Sequence, residues 1–195
     1  MSLFKRIEQT YTIRWDDVSA DNWKPVVSTR ELSIYRSEYG CWRYQLSRQD
    51  VPLFVRTDGE YSAIEVCSHG EAQADSQNLR FLLRTAFECR FCYEGIVSLH
   101  AACVEMGDFA VAFTGHSGLG KSTRARAWVE GLGARWISGD RPAIRLETQG
   151  STACGVPWDG KEQIFRDVEV PLKCIMEVRR SPANYVRRLS EEQAR

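Results

Sequence analysis

The run Thr114-Gly115-His116-Ser117-Gly118-Leu119-Gly120-Lys121-Ser122-Thr123 fits the spacing G-x-x-x-x-G-K-[ST], and every fixed position has a chemical reason. Glycines let backbone N–H groups close around phosphate oxygens, the Lys121 ammonium reaches the β- and γ-phosphates, and the Ser122 hydroxyl can sit on Mg2+. Gly115 to Thr123 are therefore the candidate phosphate-binding residues. A carboxylate and an imidazole join them. Asp140 follows the short apolar stretch Ala134-Arg135-Trp136-Ile137-Ser138-Gly139. An acid at a strand end beside a phosphate loop is where a metal-coordinating or nucleophile-activating group is expected. The plainer alternative is a turn-forming Asp before Arg141-Pro142. His100 is reached through a hairpin, because two apolar runs, Val97 to Met106 and Phe109 to Phe113, flank Gly107-Asp108. Pairing those runs brings His100, near the start of the first, beside the loop that ends the second.

The elements that must hold these groups are legible in outline. Phe109-Ala110-Val111-Ala112-Phe113 is of strand type, and Ser122 to Glu130 is rich in helix formers, with Gly131 as a stop. The helix start adds its partial positive charge to the phosphate site. Most phosphate loops follow a parallel strand reached by a helical crossover, whereas this one follows a hairpin. Ala143 to Leu146 and a turn at Gln149-Gly150 suggest a second hairpin, and Val168 to Val178 holds a further core strand. Between them Cys154 to Glu162 is rich in Gly and Pro. It either closes over a substrate with Trp158, Lys161 and Glu162, or Trp158 is a hydrophobic plug and the charges are solvated.

Upstream, Tyr11 to Trp15, Glu31 to Tyr35, Cys41 to Leu46 and Ile64 to Val66 alternate aromatic and β-branched residues between turns, which predicts an antiparallel sheet. Ala72 to Gly95 reads as a helix with Leu79, Leu83, Phe87 and Phe91 four apart and Leu82 and Ala86 widening the stripe. The expected organisation is a β-rich accessory module over 1–70, a linking helix over 71–96 and a nucleotide domain over 97–195.

Composition sets limits. With 195 residues, 43% hydrophobic and 27% charged, the chain can bury a proper core. Net charge is zero, so no extended nucleic-acid surface is expected. The start Met1-Ser2-Leu3-Phe4-Lys5-Arg6 leads into no apolar segment, and no apolar run reaches membrane-spanning length. A cytoplasmic protein without membrane partners is the expectation. The seven cysteines then read as reduced thiols. Cys89-x-x-Cys92 falls inside the helical pattern with no second ligand pair, so no zinc site is expected. Ser190-Glu191-Glu192-Gln193 is a capping box, a helix start with only Ala194 and Arg195 after it. It suggests a chain truncated before a C-terminal helical segment.

These residues add up to a resemblance. From about Leu99 to Glu192 the sequence resembles the HPr kinase/phosphorylase-like proteins, whose nucleotide domain is related to phosphoenolpyruvate carboxykinase. Carrying it are His100, the Gly-Asp hairpin, Gly115 to Ser122 and the stretch ending at Asp140. Gly155-Val156-Pro157-Trp158-x-Gly160-Lys161-Glu162, Val170-Pro171-Leu172-Lys173-x-Ile175 and Asn184-x-x-x-Arg188-Leu189-Ser190 look more like the small relatives in peptide-modification clusters, including lasso-peptide kinases. The resemblance implies a mixed α/β fold with a P-loop domain and an ATP-dependent kinase acting on a hydroxyl, with a serine of a peptide or protein as acceptor. It implies that Gly115 to Ser122 hold ATP and Mg2+, with Ser122 and Asp140 toward the metal. Asp140 would be the base, His100 its neighbour, and Lys161 and Glu162 would lie near the γ-phosphate. Gly139 stands where the HPr enzymes have a first aspartate, which argues against phosphorylase activity and against HPr as substrate. Relatives assemble partly through C-terminal helices, so a homo-oligomer is a further expectation. Two rival readings are a small-molecule hydroxyl kinase and a nucleotide-binding regulatory module without acceptor chemistry. A GTPase lacks its N-K-x-D signature here.

Overall fold

The computed structural model describes residues 10–14, 22–46, 53–68, 77–157, 164–190 and 192–193. In chain order these form β1 (Thr10–Arg14), β2 (Lys24–Ser28), β3 (Leu32–Arg36), β4 (Trp42–Leu46), β5 (Leu53–Thr57) and β6 (Ala63–Ser68), then helix α1 (Gln77–Tyr93). There follow β7 (Ile96–Ser98), β8 (Ala101–Met106), β9 (Phe109–Thr114), helix α2 (Lys121–Leu132), β10 (Arg135–Ser138), β11 (Ala143–Glu147), β12 (Gly150–Cys154) and β13 (Glu169–Glu177). The fold is mixed α and β, mostly β, in two sheets.

The first sheet runs β1-β6-β5-β4-β3-β2. All its pairings are antiparallel except β1 with β6. Its inner face, with Tyr44, Leu53, Val55, Ile64 and Val66, packs against Leu79, Leu82, Ala86 and Phe87 of α1. The buried stripe of α1 follows three- and four-residue steps, and Leu83, expected in it, is only half-buried. Two strands escape the sequence pattern for physical reasons. β2 carries Pro25 and is exposed along its whole length, the edge position where a missing N–H is tolerated. β5 has three consecutive buried residues, so it shows no alternation to detect.

The second sheet runs β10-β8-β9-β13-β12-β11-β7. The expected hairpin is present, with Ala101 opposite Thr114 and Met106 opposite Phe109. The run expected as one strand from Val97 is two, however, with a break at Leu99 and His100, so His100 precedes β8 and does not lie on it. The break is a corner. β7 pairs with β11 and β8 with β10. Across the gap the ladder continues, from the Leu99 N–H to the Pro142 carbonyl at 3.1 Å and from the Ala101 N–H to the Asp140 carbonyl at 2.9 Å. Both partners turn together, so the sheet bends back toward itself. Small residues permit this, because Ala101, Cys103, Ala110, Ala112 and Ala153 meet Ile137, Ile144 and Val170 inside the fold. On the opposite face Val104, Val111 and Phe113 pack under α2, where Trp128 meets Phe113 edge to face at 5.4 Å. α2 runs through Gly131, the expected stop, and ends at Gly133, which takes the left-handed conformation at φ +71°.

Candidate functional site

β9 ends at Thr114, and the chain then enters the glycine-rich loop. β13 lies parallel to β9, with Glu177 opposite Thr114, and the Val178 N–H donates to the Thr114 carbonyl at 2.8 Å. That closeness dictates the next residue. A Cβ on Gly115 would lie 2.8 Å from the Val178 carbonyl oxygen, and its φ of +136° belongs to glycine. His116, Ser117 and Gly118 face solvent, while Leu119 and Gly120 are half-buried. The Leu119 N–H donates back to the His116 carbonyl at 3.3 Å, closing the turn.

Gly120, at φ +89°, starts α2 with no side-chain cap. The first helical bond runs from the Arg124 N–H to the Gly120 carbonyl at 2.9 Å. The N–H groups of Lys121, Ser122 and Thr123 thus precede the helical ladder and point toward the loop side, the usual orphan donors of a helix start. Lys121 is only 8% exposed. Its Nζ donates to the Gly115 carbonyl at 3.0 Å and the His116 carbonyl at 3.4 Å. No carboxylate pairs with it among the described residues. Ser122 is half-buried and Thr123 exposed.

The corner of the second sheet brings His100 and Asp140 together. His100 Nε2 lies 3.2 Å from Asp140 Oδ1, with the side chains 48% and 34% exposed. The loop is tied to the same corner, since the Thr114 hydroxyl donates to the His100 carbonyl at 3.2 Å. Buried Ser138 accepts the Arg141 N–H at 3.1 Å, which fixes the turn carrying Asp140. The Arg141 guanidinium spans from Asp140 Oδ2, at 3.9 Å, to Glu88 of α1, at 3.5 Å. The carboxylate is held by neighbours yet open to solvent, and an acid so placed can exchange a proton with an incoming group.

Trp158, Lys161 and Glu162 lie outside the described residues. The chain on either side of them is firmly placed. Gly155 approaches so closely that a Cβ there would sit 1.8 Å from the Arg166 carbonyl oxygen. Beyond the gap the Ile164 carbonyl accepts the Gly139 N–H at 2.9 Å, and the Arg166 N–H reaches the Ile137 carbonyl at 3.0 Å. Ile164 to Arg166 therefore lie beside β10, which ends at Ser138, so that Asp140, expected at the strand end, stands in the turn after it.

Sequence reasoning passed over three residues at this site. Thr114 and Ser138 are ordinary strand residues whose roles arise from the corner. Glu177 stands in register with Thr114 only because β13 inserts beside β9, and no local pattern announces which distant strand will pair there. Cys89 and Cys92 lie on α1, where Cys89 meets the Tyr44 hydroxyl at 3.5 Å and the Cys92 thiol bonds the Glu88 carbonyl at 3.3 Å. Among the described residues no helix is long and apolar enough to cross a membrane. Neither the family models nor the curated proteins searched give a match to this chain.

Proposed function

We propose that the chain is an ATP-dependent kinase of the HPr-kinase-like type, cytoplasmic, with a P-loop domain that passes the γ-phosphate to a hydroxyl, most simply a serine of a peptide or protein. One observation carries the reading: Lys121, a buried ammonium without a carboxylate partner among the described residues, sits at an uncapped helix start on the loop that Thr114 ties to the corner holding His100 and Asp140. Burying a cation is costly unless an anion meets it, and phosphate is the anion that this spacing fits.

The donor set suits Mg·ATP. Gly115 to Thr123 offer backbone N–H groups and the Lys121 ammonium for phosphate oxygens, and Ser122 and Asp140 offer the hard oxygens that Mg2+ takes. When bound, Mg2+ neutralises charge on the β- and γ-phosphate oxygens. The chain's own groups do the rest. Lys121 spreads the charge on the transferring group, and the orphan N–H groups of α2 fix it in place. Asp140 accepts the proton of the acceptor hydroxyl as the new O–P bond forms and the bond to the leaving ADP oxygen breaks. His100, 3.2 Å away, orients Asp140 and steadies its charge.

The test uses Mg·ATP with a pool of serine-containing peptides and small proteins, scored for added phosphate by mass spectrometry. Wild type should yield a product. Lys121→Ala should abolish transfer, and Asp140→Asn should keep ATP binding while turnover falls by ~10²–10⁴-fold. Transfer by Asp140→Asn at the wild-type rate would remove Asp140 from its role. ATP binding without any product would favour the second reading, a regulatory nucleotide-binding module, for which Gly139 in place of the first aspartate speaks. A product found only with small hydroxylated molecules would move the acceptor class and leave the chemistry intact.

A further inference from the structure

We infer that Glu88 of α1 is a positioning residue for the transfer step: it draws the Arg141 guanidinium off Asp140 and so leaves one carboxylate oxygen open to the acceptor hydroxyl; the inference rests on the kinase reading given above. The main chain around Asp140 is pinned residue by residue. The Gly139 N–H donates to the Ile164 carbonyl at 2.9 Å and the Arg141 N–H to the Ser138 hydroxyl at 3.1 Å. The Asp140 and Pro142 carbonyls accept from the Ala101 and Leu99 N–H groups at 2.9 and 3.1 Å. What is left to set is the carboxylate itself. His100 Nε2 stands 3.2 Å from Oδ1, and Arg141 Nε stands 3.9 Å from Oδ2. The second distance is too long for a hydrogen bond.

A guanidinium this near a carboxylate competes with the acceptor. Its N–H groups match carboxylate oxygens, and a closed pair fills the lone pairs that a base needs free. Arg141 is kept from closing by a rival carboxylate. Its Nη1 lies 3.5 Å from Glu88 Oε1, a shorter contact than the one to Asp140. Glu88 is itself firmly placed, because its neighbour Phe87 and Phe91 one turn later are both buried, and Phe91 packs on Ala143, two residues after Arg141. One turn earlier, Arg84 Nε stands 3.9 Å from the same Oε1 and holds Glu88 from the other side. Among the described residues the charged neighbours are therefore His100 and Arg141 at Asp140, and Arg84 and Arg141 at Glu88. An arginine between two carboxylates on different elements is a common way to tie a helix to a sheet. Here one of the two carboxylates is the base, and the tie decides how much of it is open.

Two readouts separate this role from a structural one. The first is phosphate transfer from Mg·ATP to the serine-peptide pool, measured for wild type, Glu88→Ala, Arg141→Met and the double variant. Glu88→Ala should keep ATP affinity and lower turnover by about tenfold, less than the loss of the base itself. In the Arg141→Met background the same change should cost nothing, because the guanidinium it would free is gone. An equal loss in both backgrounds, or none in either, overturns the inference. The second readout needs no catalysis. The Arg141 Nε–H signal in nitrogen–proton magnetic resonance spectra of the full chain is assigned by its loss in Arg141→Met. It should move and gain protection from exchange in Glu88→Ala, and return when Asp140→Asn is added. A signal that Glu88→Ala leaves in place, or moves alike without the Asp140 carboxylate, overturns the inference as well. If the spectra behave as expected and wild type phosphorylates nothing, the kinase reading falls, and with it the use of the open oxygen, while the hold of Glu88 on Arg141 stands.

Discussion

Glu105 shows how single side chains lock the strand that leads to the site. At the far end of β8 its two oxygens each take a guanidinium, Arg135 at 2.9 Å on Oε1 and Arg166 on Oε2, and Arg166 Nε also donates to the Trp136 carbonyl at 3.0 Å. Arg166 belongs to the segment that lies beside β10, so the pair staples that segment to β8 and β10. Arg166, with Arg135 assisting, pulls the Glu105 carboxyl below its usual range. A depressed carboxyl pKa contributes stability above the unfolded value, near 4, and that contribution is lost as pH falls through the folded value. Thermal midpoints should therefore drop on acidification through roughly pH 4 and below. Glu105→Gln should start lower at neutral pH and lose part of that slope. Parallel melting curves for the two proteins across this range would show that the staple contributes nothing. Nothing in the sequence joined Glu105 to Arg166, because 61 residues separate them.

At the scale of elements, what the sequence disclosed was whatever depends on neighbours in the chain. The glycine-lysine spacing, the strand before it and the helix after it are local patterns, and β9 and α2 are found where they are expected. The hairpin of β8 and β9 was equally legible from Gly107-Asp108. The helix end was misjudged, and the reason is instructive. Gly131 has ordinary helical backbone and open space around it, whereas Gly133 at φ +71° needs a residue without Cβ. A glycine of the first kind is a cost to the helix, and one of the second kind is its terminator. Gly131→Ala should therefore stabilise the protein by about 0.5–1 kcal/mol, and Gly133→Ala should destabilise it by a similar amount. Chemical denaturation of the two variants checks both signs, and equal effects would mean that the two glycines are equivalent. The capping box at Ser190 makes its two bonds with Gln193, each at 3.3 Å, within a turn.

At the scale of the whole molecule, pairing between distant segments decides the architecture, and there the sequence was silent. Small alanines inside the second sheet read as weak strand formers, yet their size is what lets the sheet bend and bring His100 to Asp140. The same holds for α1, whose role as a link is richer than its pattern. Its first turns belong to the core of the first sheet through Leu82, fully buried. Its last turn belongs to the second, where Phe91, 1% exposed, packs on Ile96, Ala143, Cys154 and Val156. Glu88, between them, meets Arg141 beside Asp140 at 3.5 Å. A helix shared in this way should make the two sheets unfold together. Leu82→Ala should cost about 2–5 kcal/mol and Phe91→Ala about 3–5 kcal/mol. The two positions lie nine residues apart on α1, a spacing of roughly 13 Å at helical rise. If one cooperative unit is being measured, the double variant should add the single costs to within about 0.5 kcal/mol. Urea unfolding followed by circular dichroism and by tryptophan fluorescence decides it, because Trp42 reports on the first sheet and Trp128 and Trp136 on the second. A single transition, displaced by either variant in both signals, makes α1 the common core of the molecule. Two transitions, the earlier moved only by Leu82→Ala and the later only by Phe91→Ala or the reverse, would make the sheets independent and reduce α1 to a tether.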